Sequence, residues 1–170
     1  MLKAIPTTYR GIEFRSKLEA KYAQAFDRLG IVWEYEGHGF AFDDGTWYCP
    51  DFYMPEIDTY FEVKGVMDEA SERKVKMLAE ECKWVVVGGP DGTMTLYEGW
   101  RNSDGGSGWV ISQPGETHIG KCSSCGRYVF WGVGSYECHS CHGYDGNPCT
   151  EGSFDDPTNL FEAAGWERGW

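Results

Sequence analysis

Pro50-Asp51 is followed, eleven residues after Asp51, by Glu62-Val63-Lys64. Residues two apart on a strand share a face. Glu62 and Lys64 therefore project together, while Phe61 and Val63 turn into a core. A hairpin-like return sets Asp51 on the neighbouring strand, so that two carboxylates and an ammonium meet at one point on a sheet. Converging carboxylates repel each other, and a hard divalent cation with oxygen ligands relieves that repulsion. Such an ion polarises a phosphodiester and lowers the pKa of a bound water. Lys64 would orient that water or stabilise the charge of a pentavalent transition state. Glu-x-Lys by itself is also the pattern of an exposed ion pair worth little. Pro-Asp at this distance, with the helix carrying Glu19, favours a site over a surface pair. Two roles stay open for Glu19, in Arg15-Ser16-Lys17-Leu18-Glu19. It is a further metal ligand or an orienter of water, or it closes a capping box with Ser16 as N-cap. The second role requires the helix to begin at Ser16.

A second constellation is built of sulfur. Cys122-Ser-Ser-Cys125 and Cys138-His-Ser-Cys141 are two Cys-x-x-Cys pairs with twelve residues between them, the spacing of a tetrahedral Zn²⁺ site on two knuckles. Gly126 and Gly143 stand where tight turns are wanted, and residues 127–131 and 135–137 are the expected strands between the pairs. His139, His142 and Cys149 are alternative ligands. Cys49 and Cys82 read as small buried apolar residues. Tyr128, Phe130, Trp131 and Tyr136 either stack on exposed bases or form the small core such a module needs. With Lys121 and Arg127 as its basic residues, the ribbon suits a protein partner as readily as DNA.

These groups need a scaffold. Apolar residues at helical spacing (Phe14, Leu18, Tyr22, Ala25, Phe26, Leu29) predict a helix over 12–29, ended by Gly30. Strand-like runs follow at 32–36, 39–42, 46–49, 51–54 and 59–64. The second and third are joined across Asp43-Asp44-Gly45 as a hairpin. A second helix is expected over 68–82, then a buried strand at 84–87 and a last strand at 93–97. This order makes an α/β protein with a mixed sheet flanked by helices. Residues 1–100 would form that domain, and 101–114, rich in Gly, Ser and Asp near its start, a linker. Residues 115–150 would be the zinc ribbon and 151–170 an acidic tail with a short helix near 157–164. The tail docks on a partner or on the protein's own surface.

The formal net charge of −12 weighs against a protein that coats DNA, because non-specific binding rests on Lys and Arg against phosphate. It favours a shape-selective or partner-delivered enzyme whose positive charge is focused or supplied by metal ions. No apolar run approaches the roughly 20 residues of a membrane helix, and residues 1–10 lack the apolar core of a secretory signal. A cytoplasmic protein with no membrane partner is the expectation.

Phe14-Arg15-Ser16-Lys17-Leu18-Glu19, Trp33-Glu34-Tyr35-Glu36, Pro50-Asp51-Phe52 and Phe61-Glu62-Val63-Lys64-Gly65 together resemble the PD-(D/E)XK nucleases. More narrowly, they resemble the phage endonuclease I group, which resolves branched DNA. The likeness runs on into Asp68, Arg73 and Lys74 and covers about residues 10–90. It implies a restriction-endonuclease-like fold with Mg²⁺ or Mn²⁺ as cofactor. Glu19, Asp51 and Glu62 become acidic site residues, Lys64 the catalytic lysine and the Val63 carbonyl an added ligand. Arg15, Arg73, Lys74 and Lys76 become candidates for phosphate contact. Two features depart from the junction-resolving relatives. Asp43-Asp44-Gly45 favours local pairing where those relatives exchange a bridging segment between subunits, and a zinc ribbon with an acidic tail replaces their basic C-terminal region. The expected activity is hydrolysis of branched or structured DNA, by a monomer or homodimer. The rivals are a defence, homing or restriction-like nuclease acting on ordinary duplex, and a non-catalytic zinc-ribbon adaptor.

Overall fold

The computed structural model describes residues 4–82, 84–112, 116–132, 138–141 and 157–166. The chain opens on a hairpin of β1 (Thr7–Tyr9) and β2 (Ile12–Phe14). Its turn residues, Arg10 and Gly11, both have positive φ, 51° and 78°, as a tight two-residue hairpin turn requires. This corrects the expected helix start. Residues 12–14 are strand, and α1 runs Lys17–Leu29 with Ser16 as its N-cap. The helical template failed because Phe14, although fully buried, enters the core from β2. At the other end Gly30 caps α1 at φ 71°, a left-handed conformation that glycine adopts without a Cβ clash.

Next come β3 (Glu34–Tyr35), β4 (Phe40–Ala41), β5 (Trp47–Tyr48), β6 (Phe52–Met54), β7 (Thr59–Val63), α2 (Glu69–Cys82), β8 (Trp84–Gly88) and β9 (Met94–Arg101). They are followed by β10 (Ser107–Ile111), β11 (His118–Lys121), β12 (Tyr128–Trp131) and α3 (Leu160–Ala163). Six strands make one sheet in the order β10-β9-β8-β7-β6-β3. β7 and β8 are parallel, joined through α2, and the other pairs are antiparallel. The mixed α/β class and the β4–β5 hairpin are as expected. Residues 102–106 are not a linker: they turn β9 into β10, with the Asn102 N–H donating to the Gly106 carbonyl at 2.8 Å. Gly, Ser and Asp serve tight turns as well as linkers, and composition alone does not separate the two.

The sheet is covered on both faces. On one, α1 packs Tyr22 and Phe26 against Phe52 and Phe61, with ring centroids 5.1–5.3 Å apart. On the other, Val75, Leu78 and Ala79 of α2 join Tyr60, Val85, Val87 and Tyr97, together with Tyr48 of the β4–β5 hairpin. Burial of these large side chains supplies the main driving force for the fold.

The cysteine module shares the first core. β11 pairs with β12, and Ile119, Cys122, Val129, Phe130 and Cys138 are buried with Phe61 and Trp84. His139 stacks on Trp84 with centroids 4.1 Å apart, and its Nδ1 lies 3.0 Å from the Thr59 hydroxyl of β7. Phe130 and Trp131 are buried, the small-core alternative of the two weighed for the ribbon aromatics. Tyr136, His142, Gly143, Cys149 and the strand expected at 135–137 lie outside the described residues. Of the tail, residues 157–166 dock on the protein's own surface. The Phe161 ring is 4.7 Å from that of Tyr22, and Lys21 sits 3.9 Å over it. Among the described residues no helix is long and apolar enough to cross a membrane.

Candidate functional site

The register of two strands assembles the acidic pair. β6 and β7 are antiparallel with Phe52 opposite Phe61. One step further along, Asp51 is opposite Glu62, and directly opposed residues in an antiparallel pair share a face. With Phe52 and Phe61 turned into the aromatic core, the two carboxylates stand together on the other side at the end of the sheet. Both residues are 3% exposed. Asp51 Oδ2 accepts from the Val63 N–H at 2.7 Å, and the Asp51 N–H donates to Glu62 Oε2 at 3.3 Å. Lys64 Nζ lies 2.7 Å from Glu62 Oε1. Its position is fixed by its own N–H, which donates to the Gly88 carbonyl of β8 at 2.9 Å.

Burial and the neighbouring Glu62 push the Asp51 carboxyl up to about 7, well above the usual carboxylate range. The Val63 N–H and Arg15 oppose that rise without cancelling it. Arg15 bridges Asp51 Oδ1 and Glu36 Oε1, each at 2.7 Å. Burial works against its charge, but Asp51, Tyr35 and Glu36 more than offset this and raise its pKa. Tyr48 completes the surroundings. Its hydroxyl is buried beside Glu62, close enough for burial and that carboxylate to raise its pKa, yet off hydrogen-bond geometry.

Glu19 is held by the helix cap. Ser16 Oγ accepts from the Glu19 N–H and donates to Glu19 Oε1 at 2.7 Å, while Oε2 accepts from the Tyr35 hydroxyl at 2.6 Å and the Arg15 N–H at 3.2 Å. Ser16 is therefore the N-cap, and the Glu19 carboxylate reaches back to the Arg15 N–H and the Ser16 hydroxyl in place of the Ser16 N–H of a full capping box. Arg15 links Glu19 to the site, its N–H donating to Glu19 and its guanidinium pairing with Asp51, and the Glu19 charge adds to the upward push on Asp51. Among the described residues, the four cysteines are the one set of three or more His, Cys, Asp or Glu whose donor atoms all lie within 4.8 Å of one another. Glu19, Asp51 and Glu62 do not close to that degree.

Arg15, Trp47, Tyr48, Cys49, Glu62, Lys64, Ser71 and Lys74 line a cleft of about 220 Å³. Three cations thus line the cleft beside Glu62, in a chain that is acidic as a whole. Lys74, from the first turns of α2, makes no ion pair among the described residues. The other two expected phosphate contacts lie elsewhere. Arg73 pairs with Asp44 at 2.7 Å and ties α2 to the β4–β5 turn, while Lys76 pairs with Glu72 and sits 4.4 Å over the Trp109 ring. Both positions read as helix charge in sequence, where nothing marks which turn faces a hairpin. Tyr35 and Glu36 entered the sequence reading only within a motif, and Trp47 and Tyr48 were not singled out beforehand. Their signal was the aromatic pair two residues ahead of Pro50, which hairpin patterning had already absorbed.

The thiol cluster has its own geometry. The Cys122 and Cys141 Sγ atoms are 3.8 Å apart and those of Cys125 and Cys138 3.7 Å. A tetrahedron with metal–sulfur bonds of about 2.3 Å has edges of about 3.8 Å, whereas a disulfide would need about 2.05 Å. The first knuckle is closed by backbone bonds, Gly126 N–H to the Cys122 carbonyl at 2.8 Å and Cys122 N–H to the Arg127 carbonyl at 2.9 Å. Burial raises the Cys122 thiol, but the N–H groups of Cys125 and Ser124, with the facing thiols of Cys138 and Cys125, outweigh it and lower its pKa, while burial raises that of Cys138. The four thiols are placed to bind a metal such as zinc. Cys49 and Cys82 are half-buried. Neither protein-family models nor curated proteins give a match to the chain.

Proposed function

We propose that the protein is a metal-dependent endonuclease that hydrolyses phosphodiester bonds in DNA on a restriction-endonuclease-like core. One observation carries this reading. Asp51 and Glu62 stand opposite each other at a sheet end, with Lys64 on Glu62 and with Arg15 and Lys74 in the same cleft. A surface ion pair would have no reason to bury two carboxylates side by side at an energetic cost.

The donor set fits Mg²⁺ or Mn²⁺. It is all oxygen, it carries a carboxyl held near neutrality by burial and a like charge, and it has a buried tyrosine hydroxyl left off hydrogen-bond geometry. Asp51 and Glu62 would hold the ion, with the Val63 carbonyl assisting and Glu19 acting from the cap. When bound, such an ion withdraws charge from a phosphate oxygen and acidifies water.

The chain's own groups do the rest. Arg15 and Lys74 hold the phosphodiester in the cleft. Lys64 places positive charge where negative charge grows as a water oxygen bonds to phosphorus and the bond to the leaving sugar oxygen breaks. The water's proton passes to solvent, and the leaving oxygen takes one up. Expected substrates are branched or structured DNA, following the resemblance to the junction-resolving group. The β4–β5 pairing within one chain favours a local hairpin over a segment exchanged between subunits.

A plasmid-nicking assay in Mg²⁺ tests this reading. Asp51→Ala, Glu62→Ala and Lys64→Ala should each slow cleavage at least about a hundredfold, the scale of losing one preorganised charge-stabilising group. Full activity in all three variants would refute it.

A further inference from the structure

Trp47 is 63% exposed, although an indole is among the most favourable side chains to bury. A lone exposed aromatic needs no explanation, but two observations set this one apart. First, it lines the same cleft as Glu62, Lys64, Arg15 and Lys74. Second, its surroundings hold it in place. A Cβ added at Gly39 would come within 2.7 Å of Trp47 Cζ2, so the absence of a side chain there lets the indole rest against backbone. The hairpin beneath is fixed at three points. Phe40 packs edge-on to Tyr60 with centroids 5.2 Å apart, Tyr48 is buried, and the Asp44 turn is clamped by Arg73 at 2.7 Å. A rigid aromatic surface costs little ordering entropy when a ligand meets it.

We propose that Trp47 is a stacking platform for an unpaired nucleobase beside the scissile phosphate, and that the substrate is nucleic acid with unpaired nucleotides at the cut. This rests on the reading of the cleft as a phosphodiester site and adds to it the feature by which substrate is chosen. The cleft, at about 220 Å³, is small for a whole soluble ligand. It suits a phosphate of a strand that runs on past it, with Trp47 at hand for the next base. Within a duplex both faces of a base are already stacked, so the indole gains a partner only by unstacking one. A fork, flap or single strand offers the face freely. Stacking one base on an aromatic side chain corresponds to roughly 5- to 150-fold in affinity. That sequence-tolerant term also compensates for the small number of phosphate-binding cations in this chain.

Anisotropy titrations of the full-length protein test the proposal. The probes are a splayed fork and a blunt duplex of the same length, without added divalent ion and at two salt concentrations. The fork should bind more tightly than the duplex. Trp47→Ala should reduce the fork-to-duplex affinity ratio about tenfold, and Trp47→Phe should restore most of it. A ratio unmoved by Trp47→Ala, or a wild type that prefers duplex, overturns the proposal, as does an absence of binding to either probe. Thermal melting of both variants establishes that the fold persists. Cleavage of the fork in Mg²⁺ is scored separately. A ratio that shifts as expected, with no cleavage of any probe, retains the platform and refutes the nuclease reading.

Discussion

The thiol cluster and the carboxylate cleft are both made of metal-ligand side chains, yet the chain treats them in opposite ways. The four thiols lie within 4.8 Å of one another on two short turns, the first closed by its own backbone bonds. The carboxylates, eleven residues apart in sequence, meet only through the register of two paired strands. Each has a cation of the chain on it, Arg15 on Asp51 and Lys64 on Glu62. A sulfur site of this kind contributes folding energy when metal binds. An acidic pair with one member raised to about 7 holds charge against a cost and is poised to exchange its partners. One region stabilises the other's scaffold: His139, next to Cys138, stacks on Trp84 and touches Thr59 at the start of β7, the strand that carries Glu62.

Breaking the thiol site should give the largest effect. Cys138→Ser leaves three thiols and disturbs a residue buried among Phe61, Trp84 and Phe130. The loss should be about 4 kcal/mol or more, lowering the melting temperature by about 10 °C in a chain of this size. Metal analysis of the purified protein should give one zinc for wild type and less than one for the variant. Equal melting temperatures would mean that the ribbon does not support the sheet.

The same contrast explains what the sequence revealed. The Cys-x-x-Cys pairs were legible because a knuckle is a local object, closed within six residues. Asp51, Glu62 and Lys64 were legible because a period of two and one strand return suffice to bring them to one face. The β1–β2 hairpin was not, because Phe14 falls on the helical stripe of Leu18 and Tyr22 while its backbone is strand. Nor was the destination of the ribbon and tail. Which apolar surface covers Phe61 and Tyr22 is a tertiary choice, settled by Phe130 and Phe161 arriving from more than 60 residues away. The role of Trp47 was hidden for a similar reason. Exposure and the neighbouring Gly39 are visible only once the hairpin has been placed against α2.

The charge held in the cleft should appear as a pH dependence of stability without divalent ions. Asp51 titrates near 7 in the fold and near 3.9 in an unfolded chain. Its protonated form is favoured by folding, so its contribution is complete below about pH 4 and fades as pH rises through about 7. The wild type should lose about 2 kcal/mol between pH 5 and 8. Asp51→Asn should flatten that decline, and Mg²⁺ should stabilise the wild type more at pH 8 than at pH 5. Parallel stability curves for the two proteins would show that the pair is not held under repulsion.

Asp27 gives the smallest effect and the opposite sign. Burial pushes its carboxyl up, but hydrogen bonds from Tyr9, Trp33 and Arg10 outweigh this and hold it below the usual range. A depressed folded pKa contributes stability that is present above about pH 4 and lost as pH falls further. The carboxylate is partly open to water, which screens it, so Asp27→Asn should cost only about 0.5–1 kcal/mol at pH 7. The difference from wild type should shrink on acidification to pH 3, as followed by urea titration. Asp27 sits under a hairpin with every partner supplied by the fold. Asp51 is buried beside a second carboxylate, and the two effects raise its carboxyl to about 7. Opposite slopes from two carboxylates of one protein would therefore separate a structural acid from one reserved for a ligand. If Asp27→Asn instead followed the alkaline course expected of Asp51, the inference from raised pKa to functional site would lose its footing here.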